Sequence, residues 1–336
     1  MTTSGKPEYR DLRVLVTGAG GFIGSHLVEA LVGAGAHVKA LVRYTSRGSW
    51  GHLEQAAPKV RDSVEVVLGD VRDAQFIRDQ VRGCDVVFHL AALIGIPYSY
   101  EASESYVDTN IRGSLNVLQA AREAAGPRVV ITSTSEVYGT AVYTPMDEKH
   151  PLQAQSPYSA SKISADKLAE SYHLSFGLPV VTVRPFNTYG PRQSARAVIP
   201  TIVSQVLAGG DTLRLGSLDP VRDLTYVGDT VRGFLRAGVA EKAVGQVINL
   251  GTGQGISIRE LAQVIMQIAG HEVAIVSDAD RVRPPASEVR LLIAKTERAR
   301  DLLGWEPEVP LVEGLKRVVE YISANMAAYR VGTYAV

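Results

Sequence analysis

The sequence predicts an α/β fold, a doubly wound parallel sheet with a smaller C-terminal α/β part. Three observations carry that expectation. Short apolar runs rich in β-branched residues recur at 14–16, 37–42, 64–68, 85–90, 129–131 and 180–183. Longer amphipathic segments at 25–32, 74–81, 107–124 and 157–176 lie between most of them. The first run leads straight into a glycine loop that opens a helix. Strands joined by helical crossovers pair in parallel and bury both sheet faces. Ligands of such sheets bind beyond the carboxyl ends of the strands.

The loop after the first strand reads Thr17-Gly18-Ala19-Gly20-Gly21-Phe22-Ile23-Gly24. Gly18 permits a tight turn, Gly21 lets a pyrophosphate approach the backbone, and Gly24 allows helix and strand to pack closely. The helix amino end then faces the phosphates. Strand, loop and helix in this order make the first half a dinucleotide-binding domain of Rossmann type. After the second strand stands Arg43, with no acid nearby to hold ribose hydroxyls. A guanidinium there suits the extra phosphate of NADP, so NADP is expected, with NAD as the alternative. Asp70 and Val71, ending the third strand, are placed to meet the adenine.

From Arg184 onward the regular alternation stops, because Arg184-Pro-Phe-Asn-Thr-Tyr-Gly-Pro-Arg192 holds too much proline and glycine. A substrate-binding insertion is expected there, followed by helices near 199–207, 258–269 and 312–324 and a strand near 247–250. A loop at 304–307 precedes the last helix. The dinucleotide-binding domain is assigned to residues 10–188 with a return segment at about 224–252, and the second domain to 189–223 and 253–327. Residues 1–9 and 328–336 read as tails.

At 336 residues with 46% apolar side chains, the chain has material for two packed cores. Thirty-five basic and thirty-five acidic residues cancel, so no long-range field attracts nucleic acid, and anionic ligands must be held by local groups. The single cysteine, Cys84, forms no internal disulfide and fits a reducing compartment. No apolar stretch reaches the roughly 20 residues that span a membrane. The chain start lacks the apolar region of a signal peptide, so a cytoplasmic protein is expected. The histidines show no ligand spacing, and no metal is expected.

Thr134, Ser135 and Glu136 end the fifth strand, and Tyr158-x-x-x-Lys162 follows within about twenty residues. Free tyrosine has a pKa near ~10, too high for a base at neutral pH. Lys162, four residues further on, shares a helix face with Tyr158, and its charge favours the phenolate. A carboxylate beside this pair, on a chain with a nucleotide loop, points to redox chemistry followed by carbon-acid chemistry.

With the glycine loop, His89-Leu-Ala-Ala92, Ser133-Thr-Ser-Glu-Val-Tyr-Gly139, Tyr158-x-x-x-Lys162, Arg184-Pro-Phe-Asn187 and Arg222-Asp-Leu-Thr-Tyr-Val227, the chain resembles the extended short-chain dehydrogenase/reductases. Thr-Ser-Glu before Val-Tyr-Gly is similar to the triplet of nucleotide-sugar 4,6-dehydratases, GDP-mannose 4,6-dehydratase among them. The contexts at 96–100 and 193–200 look most like the dehydratases of legionaminic acid pathways, which act on nucleotide-linked N-acetylglucosamine. UDP-glucuronate decarboxylases carry the triplet too, and both they and 4-epimerases share the transient 4-keto step.

The resemblance implies a lyase with a retained nicotinamide cofactor, contacted by Phe22, Ile23, Leu90, Ala91 and Ala92 besides the residues above. It implies that Thr134 orients the oxygen on carbon 4, that Ser135 replaces the aspartic acid of the dTDP-glucose enzymes, and that Glu136 takes the proton from carbon 5. Arg222 and Arg283 match positions that hold a diphosphate, Glu288 follows at a distance suited to ribose hydroxyls, and Asn187 and Val198 border the nucleotide. The helices at 108–124 and 156–175 form a dimer contact in this family, so a homodimer is expected. His89 is read as a packed, hydrogen-bonded residue.

Overall fold

A computed structural model describes residues 9–329 and 331. Its main sheet has seven strands: β1 (Arg13–Thr17), β2 (His37–Arg43), β3 (Glu65–Gly69), β4 (Val86–His89), β5 (Arg128–Thr132), β6 (Val180–Pro185) and β7 (Val247–Leu250). The spatial order is β7-β6-β5-β4-β1-β2-β3, with every pair parallel. Strand order reverses between β1 and β4, whose chains leave the sheet in opposite directions and open a crevice at their carboxyl ends. The doubly wound expectation holds.

Side chains alternate along each strand, so neighbours enter different cores. Val14 and Val16 join Phe88, Val130 and Val183 on one face, packed with α1 (Phe22–Gly33). Leu15, Val87, Val129 and Ile131 point to the other, against α2 (Ala74–Val81), α3 (Gly113–Glu123) and α4 (Pro157–Phe176). A separate apolar cluster joins α5 (Val198–Leu207), α7 (Ile258–Ala269) and α8 (Leu311–Ala324). Beside it, strand Val221–Asp223 pairs antiparallel with Gly255–Ser257 and parallel with Leu291–Leu292.

Three expectations need correction. The tail assigned to residues 1–9 takes in Tyr9, which is fully buried and donates its hydroxyl to the Leu235 carbonyl at 2.6 Å. Tyr329, placed in the C-terminal tail, is buried in the second core and its hydroxyl donates to Gln193 O. The helix expected over 107–124 starts earlier, at Ser103–Tyr106, and runs through a π-helical stretch, Val107–Arg112, before α3. Asn110 explains the stretch: its amide brackets Leu93, accepting from the Leu93 N–H at 2.8 Å and donating to the Leu93 carbonyl at 2.9 Å.

Helix α6 (Val227–Val239) was not legible in the sequence. Its glycines lower helix propensity, yet at Gly238 a methyl would lie 2.1 Å from the Tyr9 hydroxyl. The position is glycine because another side chain occupies that space.

Candidate active site

The crevice opens into one cavity of about 860 Å³, reaching from the glycine loop to the second core. Every residue singled out above as catalytic, cofactor-binding or substrate-binding lines it. Its three regions differ in character.

At the glycine loop, Gly24 packs so closely on the turn after β1 that an added Cβ would meet the Gly18 carbonyl oxygen at 2.2 Å. Helix α1 begins at Gly21 with no side-chain cap and no acid in its first turn. Its first N–H groups and the positive end of its dipole therefore face the cavity without a side-chain acceptor, which fits a dinucleotide pyrophosphate. Phe22 and Ile23 flank that helix end, and Val71 is buried at the end of β3.

Arg43 projects, exposed, from the last position of β2. Asp70 is tied by Arg72, whose Nε and Nη2 donate to it at 3.0 and 2.7 Å. This guanidinium holds the Asp70 carboxyl below its ordinary range. The carboxylate is engaged from the side, which the sequence reading of Asp70 as an adenine acceptor did not include.

Leu90, Ala91 and Ala92 form the opposite wall, and a relay of hydrogen bonds fixes them. Ala91 N–H donates to Thr17 Oγ1 at 3.1 Å, and Thr17 Oγ1 lies 2.8 Å from His89 Nδ1. His89 Nε2 lies 3.1 Å from Ser114 Oγ, which donates to the Asn110 carbonyl. Because the serine proton is committed, Nε2 carries the histidine proton and Nδ1 accepts from Thr17. Burial pushes the His89 pKa down to about 3, with the Lys162 charge acting the same way, so the ring is neutral.

The middle region gathers the chemistry. Ser156 caps α4 in a reciprocal capping box with Ser159, which sets the first turn and so the position of Tyr158. Tyr158 is buried and packs edge-on against Tyr106, ring centroids 6.2 Å apart. Burial raises its pKa strongly, while the Thr134 hydroxyl beside it pulls the other way and the Glu136 charge adds to the rise. Lys162 is buried as well, donating to the Thr132 carbonyl at 2.6 Å. Desolvation lowers its pKa to about 8, opposed by Asp166.

Thr134, in extended backbone, accepts from Glu136 N–H at 3.2 Å and turns the chain after β5 into a short 3-10 turn, Ser135–Tyr138. Ser135 is buried, and the half-buried Glu136 is close enough to Tyr158 and to Arg222 to act on both electrostatically.

The third region is cationic. Arg222 is buried, which lowers its pKa, and it donates to Glu288 at 3.2 Å; Arg283 lies 3.6 Å from the same carboxylate oxygen. Glu288 therefore bridges the two arginines. Three of the buried side-chain atoms that lack a hydrogen-bond partner, Asn187 Oδ1, Gln193 Oε1 and Arg283 Nη1, belong to residues that line the cavity. Buried polar groups seek partners, and here the open side is the cavity.

Sequence reasoning missed Gln193, Arg196, Ser217 and Arg281 as lining residues. Gln193 and Arg196 stood in a stretch already noted for its resemblance; Ser217 sits in a loop and Arg281 at the end of a short 3-10 turn, neither with a motif.

Such an arrangement, a nucleotide crevice running into a tyrosine, lysine and carboxylate and then into paired arginines, defines an enzyme working on nucleotide-linked sugars, and comparison agrees. The family model for GDP-mannose 4,6 dehydratase matches residues 15–318. A UDP-glucose 4-epimerase of Mycolicibacterium smegmatis is 35% identical over 317 residues, covering 92% of this chain and 98% of its own. A dTDP-glucose 4,6-dehydratase of Streptomyces griseus is 35% identical over 312 residues, covering 92% and 93%. The crystal structure of DesIV, a dTDP-glucose 4,6-dehydratase of Streptomyces venezuelae, with NAD bound, superposes with TM-score 0.85 at 32% identity, covering 95% and 99%. The chain belongs to the GDP-mannose 4,6-dehydratase family, within the extended short-chain dehydrogenase/reductases, and the expectation of a nucleotide-sugar enzyme of the dehydratase/epimerase kind holds.

Proposed function

We propose that the protein is a 4,6-dehydratase for a nucleotide hexose, UDP- or GDP-N-acetylglucosamine being the substrates expected from its motifs. The observation that carries this reading is Glu136, a carboxylate on the cavity wall beside Tyr158. Moving hydride from and to carbon 4 alone needs no second base, whereas removing the carbon 5 proton does.

A nicotinamide bound along the cavity beside Tyr158 would supply a reversible hydride acceptor. Tyr158, with Thr134 orienting the carbon 4 oxygen, takes the hydroxyl proton as carbon 4 is oxidised. The new ketone acidifies carbon 5. Glu136 takes that proton and passes it to the carbon 6 hydroxyl, which leaves as water; Ser135 is too weak an acid for this. With hydride returned to carbon 6, a solvent proton reaching carbon 5 through Glu136 and the proton on Tyr158 released to solvent, the product would be the 4-keto-6-deoxy sugar, with no net redox change. Lys162 holds its charge near Tyr158 and reaches the nicotinamide ribose, while Arg222 and Arg283 hold the diphosphate, with Asn187, Val198 and Glu288 around the nucleoside.

For the cofactor, NADP is favoured by exposed Arg43 together with the engagement of Asp70 by Arg72, which leaves that end of the cavity cationic. Titration with both dinucleotides tests this, and preference for NAD in the wild type overturns it.

A second reading, decarboxylation or epimerisation of a nucleotide uronate, is favoured by one observation. Arg196 lines the cavity, its Nη1 3.2 Å from where a Cβ on Gly95 would stand, and so offers a cation for a sugar carboxylate. Product mass separates the readings: loss of water for dehydration, loss of carbon dioxide for decarboxylation, no change for epimerisation. In deuterated water, dehydration must place deuterium at carbon 5, and its absence there defeats the role given to Glu136.

A further inference from the structure

Behind the catalytic side chains lies a buried ion pair that the reaction described above does not use. Asp166 and Arg184 have side chains 3% and 4% exposed, and Asp166 Oδ2 accepts from Arg184 Nε at 3.1 Å and Nη2 at 2.9 Å. The same oxygen accepts from Ser133 Oγ at 2.7 Å. Arg184 continues through Nη1 to the Tyr138 hydroxyl at 2.9 Å, which donates to Asn249 Oδ1 at 2.7 Å. One carboxylate thus joins α4, the end of β5 and β6, and through Tyr138 reaches β7.

A buried pair of this kind is weak evidence for stability, because desolvation offsets the attraction. Its placement is more informative. Asp166 is four residues after Lys162, on the same face of α4. Ser133 immediately precedes Thr134, and its N–H is fixed by the Val183 carbonyl at 2.7 Å. The second oxygen, Asp166 Oδ1, is buried without a partner, as is Thr132 Oγ1 at the strand end where Lys162 docks. A carboxylate oxygen without a donor in a buried setting still acts electrostatically on neighbouring groups.

We propose that Asp166 is a positioning residue for catalysis, anchoring through Ser133 the strand end that presents Thr134, Ser135 and Glu136 and setting its carboxylate one helical turn from Lys162 on the same face of α4. This rests on the proposed reaction for its kinetic consequence, but not for its electrostatic one. The groups facing Lys162 and its neighbours are few. Tyr158 and Asp166 share its helix, and neutral His89 approaches from β4. Glu136 and Tyr106 face Tyr158, and Arg184 faces Asp166 from β6. Among them Asp166 is the group that raises the Lys162 pKa against burial. Charged Lys162 is lost as pH rises through its pKa, and removing Asp166 brings that loss to lower pH.

The test compares Asp166→Asn, Asp166→Glu and Ser133→Ala with the wild-type protein as isolated. Two readouts are taken, the pH dependence of turnover and the titration of Lys162 Nζ by nitrogen-15 NMR, assigned with Lys162→Met. In Asp166→Asn the high-pH limb and the Lys162 titration should both move down by about one pH unit, a tenfold change in protonation equilibrium. Turnover should fall on the order of tenfold with KM little changed. Asp166→Glu should restore the limb, since it keeps the charge, and Ser133→Ala should lower turnover without moving it. If Asp166→Asn does not fold, Asp166→Asn/Arg184→Gln removes both charges and should show a smaller shift of the same sign. An unmoved limb and unmoved Lys162 titration in the folded variant overturn the proposal. The NMR readout needs no sugar, so product analysis that defeats the dehydratase reading leaves this result standing.

Discussion

At the scale of single residues, the site divides between what a motif exposes and what only packing shows. Glu136 was legible because a carboxylate followed a strand end at a fixed distance from Tyr158 and Lys162. Its substitution Glu136→Gln should lower turnover by about 10²-fold or more, the scale of a lost general base, with substrate affinity nearly intact. Nicotinamide reduction in a single turnover, followed by absorbance, should persist, because carbon 4 oxidation does not need the acid; loss of that signal would remove the division of labour between Glu136 and Tyr158. The pH profile follows from Lys162. Its pKa, brought to about 8 by burial, leaves it charged at neutral pH. Activity that depends on the charge is retained below that value and declines above it, and Lys162→Met should abolish that limb along with most of the rate. His89, with a pKa near 3, contributes no limb between pH 5 and 9. What the sequence did not disclose is the engagement of Glu288 by Arg222, since a side-chain partner 66 residues away leaves no local pattern.

At the scale of elements, strands were read well because β-branched runs bounded by turns have few other uses, and α4 lies over the span 157–176 expected of it. Two elements escaped for physical reasons. Helix α6 looks like a loop in sequence, its glycines answering to Tyr9 and neighbouring strands instead of to helix propensity. The π-helical stretch 107–112 follows from long-range bonds of Asn110 to Leu93 and, at 2.9 Å, to Ser161 Oγ. Such bulges often accompany functional positions. This one fastens the Leu90–Leu93 wall of the cavity to α4. Asn110→Ala leaves the part-buried Leu93 N–H and carbonyl without their partner, so a loss of about 1–3 kcal/mol is expected in denaturant unfolding. Cofactor affinity should fall with it. An unchanged unfolding midpoint would show that water replaces the asparagine.

On the scale of the whole molecule, the cavity is walled by two cores, and a ligand spanning it ties them together. Arg192 already links them, donating to Ser25 Oγ at 3.2 Å and to Glu29 at 2.7 Å on α1. A dinucleotide at a hundred times its Kd should add about 2.7 kcal/mol to stability, read as a rise in Tm that is absent in Gly24→Ala, where the added methyl displaces the loop. The homodimer expected from the family resemblance would draw on exposed apolar side chains in or next to those helical segments, Val107, Leu115, Leu174 and Phe176. Light scattering at micromolar concentration should give twice the chain mass, and a monomer would remove the claim. Among the described residues no helix is long and apolar enough to cross a membrane.

Tyr9 carries a practical consequence. The ring fills the hollow between Phe88 and Gly238 like a stopper, on the side of the sheet away from α4. Emptying a hollow of that size costs about 3–5 kcal/mol, a sizeable part of the stability of an ordinary domain. Anyone trimming the leading end of the polypeptide for expression should therefore stop short of this aromatic.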